Sequence, residues 1–104
     1  MDLAVEACRA SWKLPQHERF DLARQIRRAA VSVPSNIAEG YGRRTRGDYL
    51  RFLNIANGSL KELETQLILA ARISLISDAE AEPALSLCGK AGRMFTRLFR
   101  SMPR

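Results

Sequence analysis

The sequence is poor in the residues that most often act as metal ligands or catalytic bases. It has 1 histidine, His17, and 2 cysteines, Cys8 and Cys88, among 104 residues. The cysteines lack the close spacing of zinc ligands, and the Glu-x-x-His pairs that hold di-iron centres in helical bundles do not occur. Glycine-rich phosphate loops and nucleophile elbows do not occur either. We therefore expect a protein that is not an enzyme and that uses no metal and no cofactor.

Long apolar runs and a signal sequence are also missing. No stretch reaches about eighteen consecutive apolar residues, the length that spans a bilayer. The first residues, MDLAVEACRASWKL, alternate charged and apolar groups, unlike a signal peptide. Because the cysteines have no metal-ligand spacing, we expect two free thiols in a reducing compartment. The sequence thus predicts a cytoplasmic protein with a single domain, residues 1–104.

Basic residues outnumber acidic ones. The chain has 17 lysines and arginines against 11 acids, for a formal net charge of +6, and all but three of the basic residues are arginine. This balance attracts anions, and nucleic-acid backbones are the commonest large polyanions. Arginine-favouring codons of a GC-rich genome, together with ordinary solubility, explain the composition equally well. Charge alone therefore does not decide between the two.

Apolar residues recur at helical spacing along four segments, and no segment alternates like a strand. The third segment is clearest, because its apolar residues from Tyr49 to Ala70 follow alternating steps of four and three residues. Such a heptad period gives the small crossing angles of left-handed bundles. We therefore predict an all-α fold, an antiparallel up-down-up-down four-helix bundle. The helices are expected at about Asp2–Leu14, His17–Tyr41, Arg46–Ile73 and Ser77–Ser101.

Two prolines affect these helix predictions. Pro34 lies inside the second helix, where a proline removes one backbone donor, so we expect a kink near Pro34, with a full break as the alternative. Thr45 and Ser77 have the character of helix caps, but Pro83 lies too deep for a comfortable first turn, so Glu82 is an alternative start for the fourth helix.

The residues expected to face inward are Leu3, Ala4, Val5, Cys8, Trp12, Ala23, Ile26, Ala30, Val33, Ile37, Tyr49, Leu53, Ala56, Leu60, Leu63, Leu67, Ala70, Leu87, Ala91, Met94, Phe95 and Leu98.

Polar residues accompany the apolar seams of the two central helices. Because no histidine-like base stands beside the serines, a catalytic role is disfavoured. We interpret this set as a hydrogen-bonded layer between helices or against another subunit. Its members are Arg28, Ser32, Asn36, Glu39, Ser59, Glu62 and Gln66. Arg27 or Arg28 is expected to pair with Glu39, Glu62 or Glu64, inside the bundle or across a subunit boundary. Gly58 is interpreted as a point of close backbone approach, or as simple tolerance of glycine.

Basic residues form a stripe on the fourth helix, where they recur every three or four residues with no acid between them. Such a stripe can follow a phosphate backbone. The alternative, a solvated face that complements the negative helix C-terminus, explains only one or two of the charges. A second basic group in the connection after the second helix could also hold phosphate. The predicted nucleic-acid contacts are Lys90, Arg93, Arg97, Arg100 and Arg104 in the stripe, and Arg43, Arg44 and Arg46 in the connection.

Few other residues could take part in recognition. Tyr41, Tyr49 and Trp12 could stack on bases, but Tyr49 and Trp12 lie on apolar seams and are expected in the core. His17 is interpreted as an ordinary surface histidine.

Two stretches carry a resemblance to a known family. They are QIRRAAVSVPSNIAEGY, from Gln25 to Tyr41, and FLNIANGSLKELET, from Phe52 to Thr65. They match the pattern Q-x-R-R-A-x-x-S-I-P-x-N-I-A-E-G followed by F-L-x-I-A-x-G-S-x-x-E-L-E-T, with Val33 in place of isoleucine. The chain therefore resembles the bacterial four-helix-bundle family of the 23S ribosomal RNA intervening-sequence proteins, to which the accessory variability proteins of diversity-generating retroelements are structurally related.

The resemblance implies a homo-oligomer, since structural relatives form a pentameric ring, and relatives in retroelements contact a reverse transcriptase. Two functional hypotheses follow. The first is an accessory protein that grips RNA or an RNA–DNA hybrid through its phosphates, with little base readout. The second is a scaffold ring that docks a partner protein such as a reverse transcriptase. No membrane partner is expected.

Overall fold

The computed structural model describes residues 1–15 and 21–102 and contains four α-helices. They are α1 (Asp2–Ser11), α2 (Leu22–Tyr41), α3 (Arg46–Arg72) and α4 (Asp78–Ser101), and no strand occurs among the described residues. Each helix packs against the next one in the chain, and α1 also packs against α4, which closes the bundle. The predicted all-α four-helix bundle is therefore confirmed.

The core of α2 and α3 follows the predicted seams. Ala23, Ile26, Ala30 and Val33 of α2 are buried, as is every predicted seam residue of α3 from Leu53 to Ala70. Ile37 and Tyr49, at the ends of the two seams, are half-buried. These two helices have the most extensive contact in the bundle. The heptad pattern thus identified the faces that meet.

The core positions in α1 and α4 match the prediction only in part, with Leu3, Ala4 and Phe95 buried as expected. Val5, Trp12 and Met94 were expected inside, but they are 41%, 55% and 50% exposed. Small residues, mostly alanines, are buried in these two helices instead. The buried residues that the prediction missed are Ala7, Ala10, Ser11, Leu14, Ala81, Ala84 and Cys88.

The first helix ends earlier than expected. α1 stops at Ser11, and the amides of Lys13 and Leu14 then bond three residues back, to the carbonyls of Ala10 and Ser11 at 3.0 and 3.3 Å. Pro15 disfavours helical backbone at Leu14, which explains why the helix does not continue. The expected start of the second helix at His17, and the interpretation of that histidine, lie outside the described residues.

Both prolines lie inside unbroken helices. α2 runs through Pro34, so the alternative of two separate helices is wrong, while a kink there stays a prediction. α4 begins at Asp78 and runs through Pro83, so the alternative start at Glu82 is also wrong. A capping box fixes this start: the Ser77 hydroxyl accepts from the Glu80 amide at 3.0 Å, and the Glu80 carboxylate accepts from the Ser77 amide at 2.9 Å. The bond from the Ser77 amide lowers the pKa of Glu80.

Candidate nucleic-acid interface

The basic residues of α4 form one exposed surface, which we call the basic face: Lys90, Arg93, Arg97 and Arg100. All four side chains are exposed because the helix buries its opposite side, with Ala84, Cys88 and Phe95 in the core. At 1.5 Å rise per residue, the four charges extend over roughly 15 Å. None of them forms an ion pair with another residue in the described part of the chain. Arg104 lies outside the described residues.

A groove between α3 and α4 runs beside this basic face. Its lining combines Lys61 and Glu64 of α3 with Arg93, Arg97 and Arg100 of α4, and Cys88 lies at its floor. Two glycines, Gly89 and Gly92, also line the groove. A methyl group on Gly92 would lie 3.5 Å from Lys61 Nζ, and one on Gly89 would lie 3.4 Å from an Arg93 guanidinium nitrogen.

Lys61 is a member of this site that sequence reasoning missed. It stands far from the stripe in the chain, and only the packing of α3 on α4 brings it there. Glu64 is the acid in the groove and reduces its positive charge. The groove therefore has three arginines and one lysine against one carboxylate, a balance suited to phosphate.

Cys88 is a structural rather than a reactive residue. Its side chain is 1% exposed, and burial, with a smaller contribution from Glu64, raises the pKa of its thiol to about 12. A thiol in that state remains protonated at neutral pH, and nucleophilic attack and metal binding both require the thiolate. Among residues 1–15 and 21–102, no group of three or more histidine, cysteine or acidic side chains is placed to hold a metal.

Lys90 lies on a second groove, between α1 and α4. This groove is mostly apolar, with Leu3, Leu87 and Met94 among its lining residues, and Arg97 stands at its edge as well. Arg97 therefore lies between the two grooves. The basic face is one continuous surface that separates them, with Lys90 on one side and Arg93 and Arg100 on the other.

The arginines between α2 and α3 differ in how they are held. Arg43 donates to the Glu39 carboxylate at 2.8 Å and lies 4.7 Å from the centre of the Phe52 ring. Arg44 and Arg46 are exposed, and neither has a hydrogen bond or ion pair within the described chain. Of the three arginines predicted to contact phosphate here, Arg43 is therefore already bound by other side chains of the chain.

Three residues of the predicted polar layer join α2 to α3. The hydroxyls of Ser32 and Ser59 are 2.6 Å apart across the two helices. Asn36 donates to the carbonyl and the hydroxyl oxygens of Ser32, at 2.8 and 2.9 Å. Because Asn36 supplies a hydrogen to the Ser32 oxygen, the Ser32 hydrogen is available to Ser59. The result is a chain of hydrogen bonds that fixes the register of the two central helices.

Glu62 and Gln66 form a separate pair on α3. Gln66 is 8% exposed, and its amide nitrogen donates to a Glu62 carboxylate oxygen at 3.2 Å. Its carbonyl oxygen is buried without a hydrogen-bond partner among the described residues. A buried acceptor without a donor lowers the stability of the fold.

Two predicted members of the layer lie elsewhere. Glu39 is exposed and bonds to Arg43, at the end of α2. Arg28 is exposed beside Ser32 and Glu62, and it forms no ion pair within the described residues, so the expected pairing with an acid inside the bundle is not present in a single chain. A role for either residue at a subunit boundary stays a prediction.

The point of close backbone approach is at Gly40, not at Gly58. A methyl group on Gly40 would lie 3.2 Å from Tyr49 Cδ1 and 3.3 Å from Phe52 Cβ. Gly58 is exposed and would have nothing within 4 Å of an added methyl. The expectation of close approach at Gly58 is therefore wrong within one chain, and sequence reasoning missed the contact at Gly40.

In the described segments, no helix combines the length and the apolar character that crossing a membrane would require.

Comparison with known proteins places the chain in a family. A solved structure similar to it is a protein of unknown function from the S23 ribosomal protein family of Bacteroides thetaiotaomicron, with a TM-score of 0.84 and 24% identity over 96% of this chain and 97% of that one. At that identity the likeness shows the fold alone. No curated protein matches the chain. The family of 23S rRNA-intervening sequence proteins, however, matches residues 1–97. Since this match covers nearly the whole bundle, the chain belongs to the family of 23S rRNA-intervening sequence proteins.

Proposed function

We propose that this protein binds nucleic acid through backbone phosphates, as an accessory factor without catalytic activity of its own. The observation that carries the proposal is the basic face of α4, where four exposed cations form no ion pair with any described residue and Lys61 adds a fifth across the groove. Complementing the helix C-terminus would occupy only the charges of the last turn. A phosphate backbone would neutralise the whole face.

The proposed ligand is RNA or an RNA–DNA hybrid, recognised with little sequence preference. Contacts to phosphate position a protein on nucleic acid but do not read bases. The family name, which refers to an intervening sequence of 23S rRNA, supports RNA as the first ligand to test. Arg44 and Arg46 provide a second set of exposed charges at one end of the bundle.

The test is the salt dependence of binding. Replacing Arg93, Arg97 and Arg100 together with glutamine should weaken binding to all sequences alike. It should also make the slope of log K against log salt shallower by about 2 to 3, because each lost phosphate contact removes about 0.7–0.9. Binding is measured by fluorescence anisotropy with labelled RNA and DNA over a salt series.

A matched control removes the same charge elsewhere. Arg9, Arg24 and Arg72 are exposed on the other three helices, and their replacement by glutamine should leave the slope within about 1 of the wild-type value. Circular dichroism establishes that both triple variants are folded. A basic-face variant that binds as tightly as the wild type at low salt would refute the proposal.

We also propose that the chain forms a homo-oligomer, as a resemblance to the accessory variability proteins of diversity-generating retroelements would imply. Ile55, Glu62 and Leu69 lie seven residues apart on one outer stripe of α3, and both aliphatic side chains are more than two-fifths exposed. A second subunit there would cover these apolar groups.

The second candidate function is a scaffold that docks a protein such as a reverse transcriptase. The exposed aliphatic residues of α3, and Ile73 directly after it, favour it, because exposed apolar surface on a small protein can mark a protein contact. This candidate predicts that the triple glutamine variant of the basic face keeps full partner binding. It also predicts that nucleic acid is bound weakly by wild type and variant alike.

A further inference from the structure

The end of the bundle where α2 turns into α3 presents an exposed aromatic ring. Tyr41, the last residue of α2, is 75% exposed. Its ring centre lies 5.8 Å from that of Tyr49, with an angle of 37° between the ring planes. Tyr49 is half-buried in the first turn of α3, where burial, followed by the nearby Tyr41, raises the pKa of its hydroxyl. Tyr41 is therefore backed by another ring while most of its own surface meets solvent.

The backbone holds this ring in a defined place. Gly40 packs directly against Tyr49 and Phe52, so the end of α2 is fixed on α3. The turn continues with bonds from the amides of Gly42 and Arg43 to the carbonyls of Glu39 and Gly40, both at 3.1 Å. A ring on such a support loses little conformational entropy when it binds a flat partner.

Several arginines follow Tyr41 in the chain. Arg43 and Arg51 both lie close to the Phe52 ring, at 4.7 and 4.6 Å from its centre, and Arg43 also pairs with Glu39. Arg44 in the turn and Arg46 at the start of α3 are exposed, with no partner in the described chain. An aromatic face beside unpaired guanidinium groups suits a ligand that joins a flat base to a phosphate.

We infer that Tyr41 stacks on an unpaired base of single-stranded nucleic acid, while Arg44 and Arg46 contact the adjoining phosphates. This inference rests on the proposed function and adds to it a preference for unpaired strand. A base inside a duplex is covered on both faces by its neighbours, so Tyr41 can stack only on a base that is splayed out. The basic face of α4 has no such requirement, because phosphates are exposed in single and double strands alike.

Three labelled RNA ligands separate stacking from charge: oligouridine, an abasic strand of the same length and charge, and a duplex. The wild-type protein should bind oligouridine more tightly than the abasic strand. Tyr41→Leu should weaken binding to oligouridine roughly tenfold and leave the other two ligands unaffected. Tyr41→Phe keeps the ring and should bind as the wild type does. The salt slope should be the same for all three proteins, because no phosphate contact is lost.

Three other outcomes would contradict the stacking of Tyr41 on a base, and a fourth would also contradict the proposed function. Equal binding of oligouridine by the wild type and Tyr41→Leu would show that the ring contributes nothing, while a normal salt slope would leave the phosphate proposal standing. Equal wild-type binding of the abasic strand and oligouridine would lead to the same conclusion. A change in sedimentation of Tyr41→Leu without a change in RNA binding would assign the ring to a protein contact. If no ligand binds the wild type at low salt, the proposed function fails as well.

Discussion

At the residue scale, two glycines in the central helices have opposite surroundings. Gly40 is buried, and its α-carbon faces the first turns of α3, where tyrosine and phenylalanine side chains leave almost no room. Gly58 stands in the middle of α3 with open space around it. The first glycine permits close helix packing, whereas the second only weakens its own helix, unless another molecule approaches there.

Alanine at the two positions should therefore act in opposite directions. Gly58→Ala should raise the free energy of unfolding by about 1 kcal/mol, the difference in helix propensity between the two residues. Gly40→Ala should lower it by about 1–3 kcal/mol, because the added methyl overpacks the contact with Tyr49 and Phe52. Urea unfolding followed by circular dichroism measures both changes. A Gly40→Ala protein more stable than the wild type would contradict the packing described here.

At the element scale, α2 and α3 are joined by polar as well as apolar contacts. The bond between Ser32 and Ser59 crosses from one helix to the other, and Asn36 supports it from within α2. Sliding one helix along the other by a single turn would break this bond. The contacts between alanine and leucine side chains, in contrast, could form in more than one register. The serines therefore select one register among several that hydrophobic packing alone would allow.

A double-mutant cycle tests this coupling. Ser32→Ala and Ser59→Ala should each destabilise the fold by about 1 kcal/mol, since each leaves the other hydroxyl without its partner. The double variant should lose less than the sum of the two single losses, with a coupling energy of at least about 0.5 kcal/mol. Ser86→Ala, at an exposed position in the interior of α4, is the control and should be close to neutral. Strictly additive losses would mean that the two hydroxyls act independently.

The central helices were predictable from the sequence, while much of α1 and α4 was not. Large residues at heptad spacing, such as Leu53, Leu60 and Leu67, mark a buried face clearly. In α1 and α4 the core contains small residues such as Ala7 and Ala81, and alanine is nearly as common on helix surfaces as inside. The prediction therefore placed larger apolar residues such as Trp12 and Met94 in the core, although they are exposed.

The candidate site was predictable to the same limited extent. The basic face of α4 is periodic in the sequence, so its four charges could be placed on one side of a helix. Lys61 could not be added, because its approach to Arg93 depends on the packing of two helices. Gly40 was missed for the same reason: a close contact between helices has no local signature.

At the scale of the whole molecule, the basic face and one group of exposed aliphatic residues lie on different helices. The cations of the basic face are on α4, whereas Val31, Ile55 and Leu69 are on α2 and α3. In an oligomer built through α2 and α3, the basic face of every subunit would stay accessible. Several identical basic faces would then bind one long polyanion with an avidity that no single subunit has.

We accordingly expect a closed oligomer, with a pentamer as the specific prediction, in sedimentation velocity experiments at micromolar concentration. Ile55→Gln combined with Leu69→Gln should shift the population toward monomer, because the substitutions place polar groups in the apolar stripe. Val5→Gln, which changes an aliphatic residue of similar exposure on α1, is the matched control and should leave the assembly intact. A wild-type protein that sediments as a monomer would end the proposal.

The buried thiol of Cys88 makes the separation of α3 and α4 measurable as a chemical rate. A thiol-specific reagent can react with Cys88 only when the bundle opens locally, so its labelling rate reports the frequency of that opening. Cys8 is only half-buried and should react first, and Cys8→Ser would leave one reporter. RNA bound in the groove above Cys88 would stabilise the closed form and should slow labelling in proportion to its occupancy. The labelling rate of this native cysteine would therefore report the binding of a ligand that does not contact it.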